Sequence, residues 1–341
     1  MLTMQQNIPL KDYTTMKLGG PAKYMATANT KDELVNLVNQ AGSAPILILG
    51  QGSNVIVSDN GFDGLVILNR ITGFEVFDEN PATTKIRIGA GENWDSVVAK
   101  TTEKGLSGIE CLSAIPGYSG AAPVQNIGAY GQEIADTLIE LEAYDLNTKT
   151  FVTFSNADCD FTYRKSTFNS DENKGRYVIT SITLELRKTI LEPPFYISLE
   201  QYLEKNQITD YNPYNLRQAV IAIRATKLPD PSVIPNTGSF FKNPIVEKWQ
   251  AENLKNEYPD IKVFPMDENF SKIAAGWLVE NSGMKNLEMS GFKVYEKNAL
   301  VITNTGNGTY QGLVGIKEHI TDAVRDTFRI TLEQEPEEIG I

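Results

Sequence analysis

Histidine is the scarcest reactive residue in this sequence, because His319 is the only one among 341 residues. It lies at the edge of an apolar stripe on a predicted C-terminal helix, which favours a surface or boundary position. Ser–His–Asp and Cys–His nucleophilic sites require an imidazole base, and histidine-based metal sites require several. The sequence therefore disfavours both kinds of site, and we expect no bound metal.

Cysteine and long apolar runs are also scarce. Cys111 and Cys159 are too few and too far apart for a disulfide framework or a Cys-x-x-Cys metal site. No apolar run approaches the ~18 residues that indicate a membrane span. The first residues contain no basic segment followed by an apolar core, so nothing indicates export. We expect a cytoplasmic protein that has no membrane partner.

Basic residues are outnumbered by acidic ones. The chain has 31 Lys and Arg residues against 43 Asp and Glu residues, and its formal net charge is −12. Nucleic-acid binding needs a basic surface that contacts phosphates, so we expect no nucleic-acid partner. An anionic ligand must instead be held by a few local cations.

The length predicts two or three domains, and the periodicity predicts an α+β fold. Residues 30–42 begin with a capping box formed by Thr30 and Glu33, followed by a helical apolar face. Short strands are predicted at 45–50 and within 54–69, before strand–helix alternation continues. A helix that ends before Pro229 indicates a domain boundary. The last helix carries one apolar stripe: Leu313, Ile316, Ile320, Val324 and Phe328.

Two glycine-bearing loops are candidate cofactor sites. "LGQGSN" (49–54) offers unobstructed backbone N–H groups to a pyrophosphate. It lacks the third glycine of a dinucleotide fingerprint and leads into a predicted strand, so a generic tight turn is the alternative. "IPGYSGAAPVQNIGAYG" (115–131) combines four glycines and two prolines with the amides of Gln125 and Asn126, which suits a heterocycle and phosphates. An ordered structural loop is the alternative there.

Three further stretches contain candidate catalytic groups. In "NTGSFFKNP" (236–244), Ser239 has no histidine base but could donate a proton to a carbanion or enolate; it could also merely shape a turn. In "DFTYRKSTF" (160–168), Arg164 could grip a carboxylate or form a surface ion pair. The ending "LEQEPEEIG" (332–340) has the composition of a solvated acidic tail.

Together with "GAGENW", "TKLPDP" and "KIAAGWLVE", these stretches match one family in order and spacing over nearly the whole chain. The sequence resembles the UDP-N-acetylenolpyruvoylglucosamine reductases, in the subtype with an extra loop over the active site. The resemblance implies an NADPH-dependent oxidoreductase of peptidoglycan precursor synthesis with non-covalent FAD. It implies conversion of UDP-N-acetylglucosamine enolpyruvate to UDP-N-acetylmuramate, with hydride passing from flavin N5 to substrate C3.

The resemblance also implies a fold and its division. The fold is α+β: a vanillyl-alcohol-oxidase (PCMH-type) FAD-binding fold in two subdomains plus a smaller α+β substrate-binding domain. The FAD-binding subdomains are expected at 1–70 and 71–226, with the tail 332–341 returning to the second of them. The substrate-binding domain is expected at 227–331. We expect a monomer whose small-molecule partners are the enolpyruvyl substrate and NADPH.

Individual roles follow from the matched positions. Ser239 matches the serine that protonates C2, Arg164 the arginine that stabilises the enolate, and Glu335 the glutamate that assists it. The implied FAD contacts are Gly50, Gln51, Gly52, Ser53, Asn54, Ile115, Pro116, Gly117, Gln125, Asn126, Gly128, Ile179 and Arg224. The implied contacts with the nucleotide-sugar or NADPH are Tyr163, Lys227, Asn243, Lys272 and Asn298.

Some positions depart from the family pattern. Ala121 and Ala122 replace serines near the FAD phosphates, Phe264 replaces a tyrosine directed at the substrate diphosphate, and Pro336 replaces an aliphatic residue. Tyr196 is close to the expected loop tyrosine but out of register. Two other readings stay open: a related sugar-lactone or alcohol oxidase, and a non-catalytic protein that binds a nucleotide-sugar.

Overall fold

The computed structural model describes residues 3–340, and in them the chain forms seven α-helices and twenty β-strands. The helices are α1 (Lys31–Ala41), α2 (Trp94–Glu103), α3 (Ile197–Lys205), α4 (Pro213–Lys227), α5 (Lys248–Glu257), α6 (Ala275–Val279) and α7 (Tyr310–Phe328). The strands are β1 (Gln5–Pro9), β2 (Pro21–Ala28), β3 (Ile46–Leu49), β4 (Val55–Val57), β5 (Phe62–Asn69), β6 (Phe74–Glu79), β7 (Thr83–Gly89), β8 (Gly128–Ala129), β9 (Gln132–Glu133), β10 (Leu138–Asp145), β11 (Thr150–Ser155), β12 (Tyr177–Arg187), β13 (Asn236–Ser239), β14 (Ile245–Glu247), β15 (Val263–Pro265), β16 (Phe270–Ile273), β17 (Glu288–Met289), β18 (Phe292–Val294), β19 (Val301–Asn304) and β20 (Glu337–Ile339).

The chain separates into two compact units. The first comprises residues up to 8, 22–51 and 63–226, and the second comprises 9–21, 52–62 and 227 onwards. Helix α4 ends at Lys227, which agrees with the helix end predicted before Pro229. The described part of the tail was expected with the second FAD-binding subdomain, yet it groups with the second unit because β20 pairs in parallel with β4. The three-part division stays a prediction.

The first unit contains a four-stranded sheet, in the order β1-β2-β5-β3. Helix α1 packs its buried Leu34, Leu37 and Val38 into a core shared with β5. The Thr30 side chain accepts the Glu33 N–H at 3.1 Å, as the capping box predicts. The Glu33 carboxylate, however, accepts from the N–H of Asn29 at 2.7 Å, one residue before the predicted partner.

The first unit also contains a five-stranded antiparallel sheet, in the order β11-β10-β12-β7-β6, and the short pair β8–β9. Alternate residues of paired strands share the buried face of the five-stranded sheet: Ile88 lies opposite Ile182, and Ile86 lies opposite Leu184. The strand–helix alternation predicted from the sequence is wrong after α2. There the chain forms the antiparallel hairpin β10–β11. Antiparallel neighbours can be joined by a short turn, so no helix is needed between them.

In the second unit, α7 supplies one side of the apolar core. All five residues of its predicted stripe are buried, together with Phe292, Val294 and Ile302 of β18 and β19. The sheets have the orders β13-β19-β18-β17 and β14-β16-β15. His319 is exposed on α7, which confirms its predicted surface position.

Neither metal-binding nor membrane-spanning features are found in residues 3–340. No three His, Cys, Asp or Glu side chains there form a group that could hold a metal ion. Every helix in this range is too short or too polar to cross a bilayer. Cys111 and Cys159 are buried free thiols, and burial raises the pKa of Cys159 to about 12.

The Asp145–Arg176 pair gives a pH-dependent stability prediction. Arg176 donates to the buried Asp145 carboxylate, with Nη2 at 2.8 Å from Oδ2, and this hydrogen bond holds the Asp145 pKa down at about 2. A depressed carboxyl pKa stabilises the fold above the unfolded value, and this contribution disappears as the pH falls through the folded pKa. We expect Asp145→Asn to lower the free energy of unfolding at pH 7 by about 1–2 kcal/mol.

Urea titrations between pH 7 and pH 2 measure this effect, and the difference between the two proteins should shrink below about pH 4. Asp63→Asn is the matched control, because the Asp63 side chain in the Lys23–Asp63 ion pair is 87% exposed. The control should leave the urea midpoint unchanged. A difference for Asp145→Asn that stays constant down to pH 2 would contradict the assigned pKa.

Candidate functional site

The two predicted FAD loops are joined in the first unit. The side-chain Oε1 of Gln51 accepts the N–H of Gly117 at 2.7 Å. Arg70 lies over the ring of Tyr118, with its guanidinium carbon 4.4 Å from the ring centroid, and donates to the carbonyl of Gly50 at 3.3 Å. Arg70 is thus a cation between the loops that sequence reasoning missed.

Residues 52–54 continue the first loop in the second unit. Gly52 has φ 65°, and a Cβ on it would lie 2.1 Å from the carbonyl oxygen of Tyr13. Its own carbonyl accepts the N–H of Thr15 at 3.0 Å. Packing alone therefore requires glycine at position 52, so this glycine is explained by a generic tight turn without any cofactor. The backbone carbonyl of Asn54 accepts the Glu337 N–H at 3.0 Å, and this hydrogen bond connects the loop to β20.

Asn126 is a buried organiser of the second loop. Its Nδ2 donates to the Glu133 carboxylate at 2.8 Å and to the carbonyl of Thr162 at 3.1 Å, while its Oδ1 accepts the Ala135 N–H at 3.2 Å. The side-chain amide is thereby engaged by protein groups and fixes the residues that precede Arg164. The neighbouring Gln125 is half-buried. Direct FAD contacts of these two residues stay predictions.

Arg164 occupies the tip of a tight turn. Thr162 and Lys165 exchange two backbone hydrogen bonds of 3.1 Å, and Arg164 between them has φ 58°, a left-handed conformation uncommon for arginine. Its Nη2 donates to the carbonyl of Gly128 at 3.1 Å, and its guanidinium carbon lies 5.2 Å from the Tyr163 ring centroid. Arg164 thus contacts the second glycine-bearing loop (115–131). A role limited to a surface ion pair would not require this contact.

Arg224 of α4 carries a buried polar atom that fits a ligand. Its Nη2 donates to the Ala114 carbonyl at 3.2 Å, whereas its buried Nε has no hydrogen-bond partner in the part of the chain that the structure describes. Burial lowers the pKa of Arg224, against the opposing effects of Tyr130 and Asp95. An unpartnered cationic donor beside residues 115–117 suits an anionic, acceptor-rich cofactor such as FAD. Ile115, which follows Ala114 in the chain, is half-buried.

Other predicted FAD residues have structural partners. Ile179 is buried in β12, where it lies opposite Ala143, and its carbonyl accepts from Nδ2 of Asn69 at 2.9 Å. Pro116 is exposed. Ala122 is buried in the core of this unit and Ala121 is exposed, so the two departures from serine stand in different environments.

In the second unit, Ser239 and Glu335 are brought together by backbone pairing. Ser239 ends β13 opposite Val301 of β19, and the next residue, Phe240, donates to the Leu300 carbonyl at 2.7 Å. The carbonyl of Phe240 accepts the N–H of Glu335 at 2.9 Å. A residue 96 positions later in the chain thus lies beside the strand end that carries Ser239.

The segment around Glu335 is ordered rather than a solvated tail. Lys242 donates its N–H to the Glu333 carbonyl at 2.8 Å, and Gln334 pairs with Phe241 in a β-bridge. The Nε2 of Gln334 donates to the carbonyl of Pro336 at 2.7 Å. Glu335 is half-buried, so the acidic-tail interpretation of this position is wrong.

Three of the predicted nucleotide-sugar or NADPH contacts lie in or beside the segment that follows Ser239: Asn243, Lys272 and Asn298. Oδ1 of Asn243 accepts the Ala275 N–H at 2.9 Å, at the start of α6, and Ile245 is the strand partner of Lys272. Phe264 is the partner of Lys272 on the other side. Asn298 accepts the N–H of Leu300, whose carbonyl is bonded to Phe240. Lys227 is exposed at the end of α4.

The out-of-register loop tyrosine has a partner in the first unit. Tyr196 is 41% exposed, and its ring packs edge-to-face on Tyr130 with a centroid distance of 5.8 Å. Burial raises the pKa of Tyr130, although the charge of Arg224 opposes this. Sequence reasoning had no local signal that would connect these two rings.

Comparison with known proteins identifies the family. A family profile described as "FAD binding domain" matches residues 22–154, and one described as "UDP-N-acetylenolpyruvoylglucosamine reductase, C-terminal domain" matches 230–339. UDP-N-acetylenolpyruvoylglucosamine reductase of Flavobacterium johnsoniae is 36% identical over 98% of this chain and 99% of its own. The enzyme of Dechloromonas aromatica is 39% identical over 97% and 98%. The chain belongs to the UDP-N-acetylenolpyruvoylglucosamine reductase family.

A solved structure agrees with this assignment at the level of the fold. The crystal structure of UDP-N-acetylenolpyruvylglucosamine reductase from Thermus caldophilus aligns over 100% of both chains with a TM-score of 0.70 and 24% identity. The predicted family, the α+β class and the PCMH-type FAD-binding fold are confirmed. The chain is accordingly a flavoprotein oxidoreductase of peptidoglycan synthesis with FAD as its cofactor. The alternatives of a sugar-lactone or alcohol oxidase and of a non-catalytic binding protein are wrong.

Proposed function

We propose that this UDP-N-acetylenolpyruvoylglucosamine reductase takes its electrons from NADPH, protonates its substrate with Ser239, and forms UDP-N-acetylmuramate. The observation that carries the mechanism is the 2.9 Å hydrogen bond from the Glu335 N–H to the Phe240 carbonyl. It places the backbone of Glu335 next to the strand end of Ser239, and His319, the one histidine of the sequence, is exposed on α7. The pair of Ser239 and Glu335 suits protonation of a carbanion better than nucleophilic attack.

FAD supplies hydride-transfer chemistry when it is bound. In our proposal, Gly50, Gln51 and residues 52–54 face its pyrophosphate, and the loop residues 115–117, 125, 126 and 128 hold the remainder with Ile179. The buried, unpartnered Nε of Arg224 supports this assignment, since an acceptor on the cofactor would complete its hydrogen bonding.

Addition of hydride at C3 of the enolpyruvyl group leaves negative charge at C2 and on the adjoining carboxylate. Ser239 donates its hydroxyl proton to C2, and Arg164 stabilises the enolate through its planar fork. Glu335 assists the stabilisation of the enolate. Tyr163, Lys227, Asn243, Lys272 and Asn298 hold the nucleotide-sugar or NADPH, and the two lysines are the local cations that a chain of net charge −12 needs.

Anaerobic mixing tests the proposed reaction. The protein is reduced with NADPH until the flavin absorbance is bleached, and UDP-N-acetylglucosamine enolpyruvate is then added without oxygen. We expect the absorbance to recover as UDP-N-acetylmuramate forms in equal amount. Failure of NADPH to bleach the flavin would refute the electron source, whereas bleaching without recovery would refute the proposed substrate.

Substitution of Gly50 tests the first FAD loop. A Cβ on Gly50 would meet only the Tyr118 ring, at an ordinary 3.6 Å, so the protein itself tolerates alanine there. If the Gly50 backbone approaches FAD, Gly50→Ala should weaken FAD binding at least about tenfold without lowering the stability of the apoprotein. Flavin fluorescence titration and thermal unfolding measure the two effects.

Gly52→Ala is the matched control, since its Cβ would collide with the backbone of Tyr13 and destabilise the apoprotein itself. Unchanged FAD affinity in Gly50→Ala would remove Gly50 from the cofactor site.

We also propose that the enzyme acts as a cytoplasmic monomer, with FAD bound by residues before 227 and the substrate bound chiefly by 227–331. The chain boundary between the two compact units at Thr226 and Lys227 supports this division. Sedimentation equilibrium at micromolar concentration tests the monomer; a mass twice that of the 37.8 kDa chain would refute it.

A further inference from the structure

Ala114 has a strained backbone immediately before the proposed FAD-binding residues 115–117. Its φ is 56°, a left-handed conformation that the alanine Cβ disfavours. Both of its backbone polar groups are held by charged side chains. The N–H donates to Oδ1 of Asp95 at 2.6 Å, and the carbonyl accepts from Nη2 of Arg224 at 3.2 Å.

Asp95 is in turn held by a buried arginine. Arg217 is 8% exposed and donates in a bidentate manner, from Nη1 to Oδ1 at 2.6 Å and from Nη2 to Oδ2 at 2.8 Å. Burial alone would raise the pKa of Asp95, but the hydrogen bonds from Arg217 and from the Ala114 N–H outweigh it and lower the pKa. Asp95 is therefore an anion at neutral pH. Arg217 orients its carboxylate so that Oδ1 accepts the Ala114 N–H.

The elements that carry these side chains are firmly anchored. Asp95 lies in the first turn of α2, where the Trp94 N–H donates to the Gly117 carbonyl at 3.0 Å. Arg217 and Arg224 lie on α4, which packs with α3 around the buried Cys111. Cys111 is three residues before Ala114, so α4 contacts this segment through both its apolar and its charged side chains.

We propose that Asp95 and Arg217 are positioning residues for FAD, which act by keeping Ala114 left-handed and thereby orienting the peptide groups of residues 115–117. The proposal rests on the proposed FAD contacts of that segment. Without Arg217, Asp95 loses its fixed orientation, and Ala114 can relax to negative φ. The peptide that follows then rotates, and its polar groups no longer point where the cofactor needs them.

Flavin binding to the apoprotein tests this role. We expect Arg217→Met to weaken FAD binding about tenfold, the scale set by the left-handed penalty of alanine. The control is Arg176→Met, which breaks the Arg176–Asp145 pair of the same unit. It should lower stability but leave the FAD dissociation constant unchanged. Equal affinity of Arg217→Met and the unmodified protein would overturn the proposal.

Rescue by glycine separates positioning from general stabilisation. Glycine adopts φ 56° without a steric penalty, so Ala114→Gly in the Arg217→Met background should restore most of the lost affinity. The same substitution in the Arg176→Met background should change nothing. Absence of rescue would overturn the role assigned to Ala114. If Arg217→Met does not fold, Arg217→Lys keeps the buried charge paired, and a several-fold loss that Ala114→Gly reverses is then expected.

Ile115→Ala distinguishes the proposed FAD contact of this segment from the positioning role of Asp95 and Arg217. Weaker FAD binding in Ile115→Ala but not in Arg217→Met would keep the proposed contact and reject the positioning role. Unchanged binding in both would reject the contact of the Ile115 side chain with FAD, and the positioning proposal with it.

Discussion

Replacement of Ser239 by alanine should separate the two half-reactions. NADPH should still bleach the flavin at nearly the normal rate, because that step needs no proton at the substrate. Reoxidation by the enolpyruvyl substrate should slow by about 10²–10⁴, the usual contribution of a positioned proton donor. Anaerobic stopped-flow absorbance of the flavin measures both rates in one preparation.

Thr237→Val is the matched control on the same strand. Thr237 is buried on β13 and is not among the residues assigned to the cofactor or the substrate, so removal of its hydroxyl should change neither rate. Equal slowing of both half-reactions in Ser239→Ala would instead indicate a damaged site and reject Ser239 as the proton donor. Deuterium transfer offers a further check: in D₂O, the normal enzyme should place one deuteron at C2.

Arg164→Lys should also be severely impaired, although it keeps the positive charge. Arginine presents a planar fork that can bind a carboxylate with two parallel hydrogen bonds while a third N–H contacts the Gly128 carbonyl. An ammonium group cannot meet both requirements from the same position. We expect the rate of flavin reoxidation to fall about 10²–10³, with flavin reduction largely retained.

Lys165→Arg tests the opposite change at the neighbouring exposed residue and should have no effect on either rate. Near-normal turnover of Arg164→Lys would remove Arg164 from the catalytic group. If instead the purified Arg164→Lys protein lost FAD, the contact between Arg164 and the loop at Gly128 would matter more for cofactor retention than for enolate stabilisation.

Local sequence patterns predicted much of the secondary structure. The stripe on α7, the strand β3 and the end of α4 depend on periodicity, turn residues and proline, which act within a few positions. The predicted alternation after α2 was wrong because a short apolar run does not by itself distinguish a strand from a helical segment, and the chain forms the hairpin β10–β11 there. The Glu33 carboxylate likewise bonds to Asn29 rather than to Thr30, although Thr30 caps α1 as predicted.

The candidate site was predictable only in part. Chemistry singled out Ser239 by exclusion of histidine, and the family resemblance supplied the roles of Arg164 and Glu335. The supporting residues Arg70, Asp95 and Arg217 lie in none of the motifs that the sequence analysis used. They become visible only when the fold is known, because their partners lie far away in the chain.

By itself, the sequence determined the chemical class of this protein through a resemblance: the ordered set of glycine-rich and "GSFFKNP" motifs matches one family of flavin reductases, and the single histidine disfavours imidazole-based sites. Only the tertiary structure decided how the chemical groups are held. It joined Arg217 to Asp95 across 122 positions and Glu335 to the neighbour of Ser239 across the length of the second unit. Such contacts depend on chain topology, and hydrogen bonds between distant segments leave no periodic trace in the residues that form them.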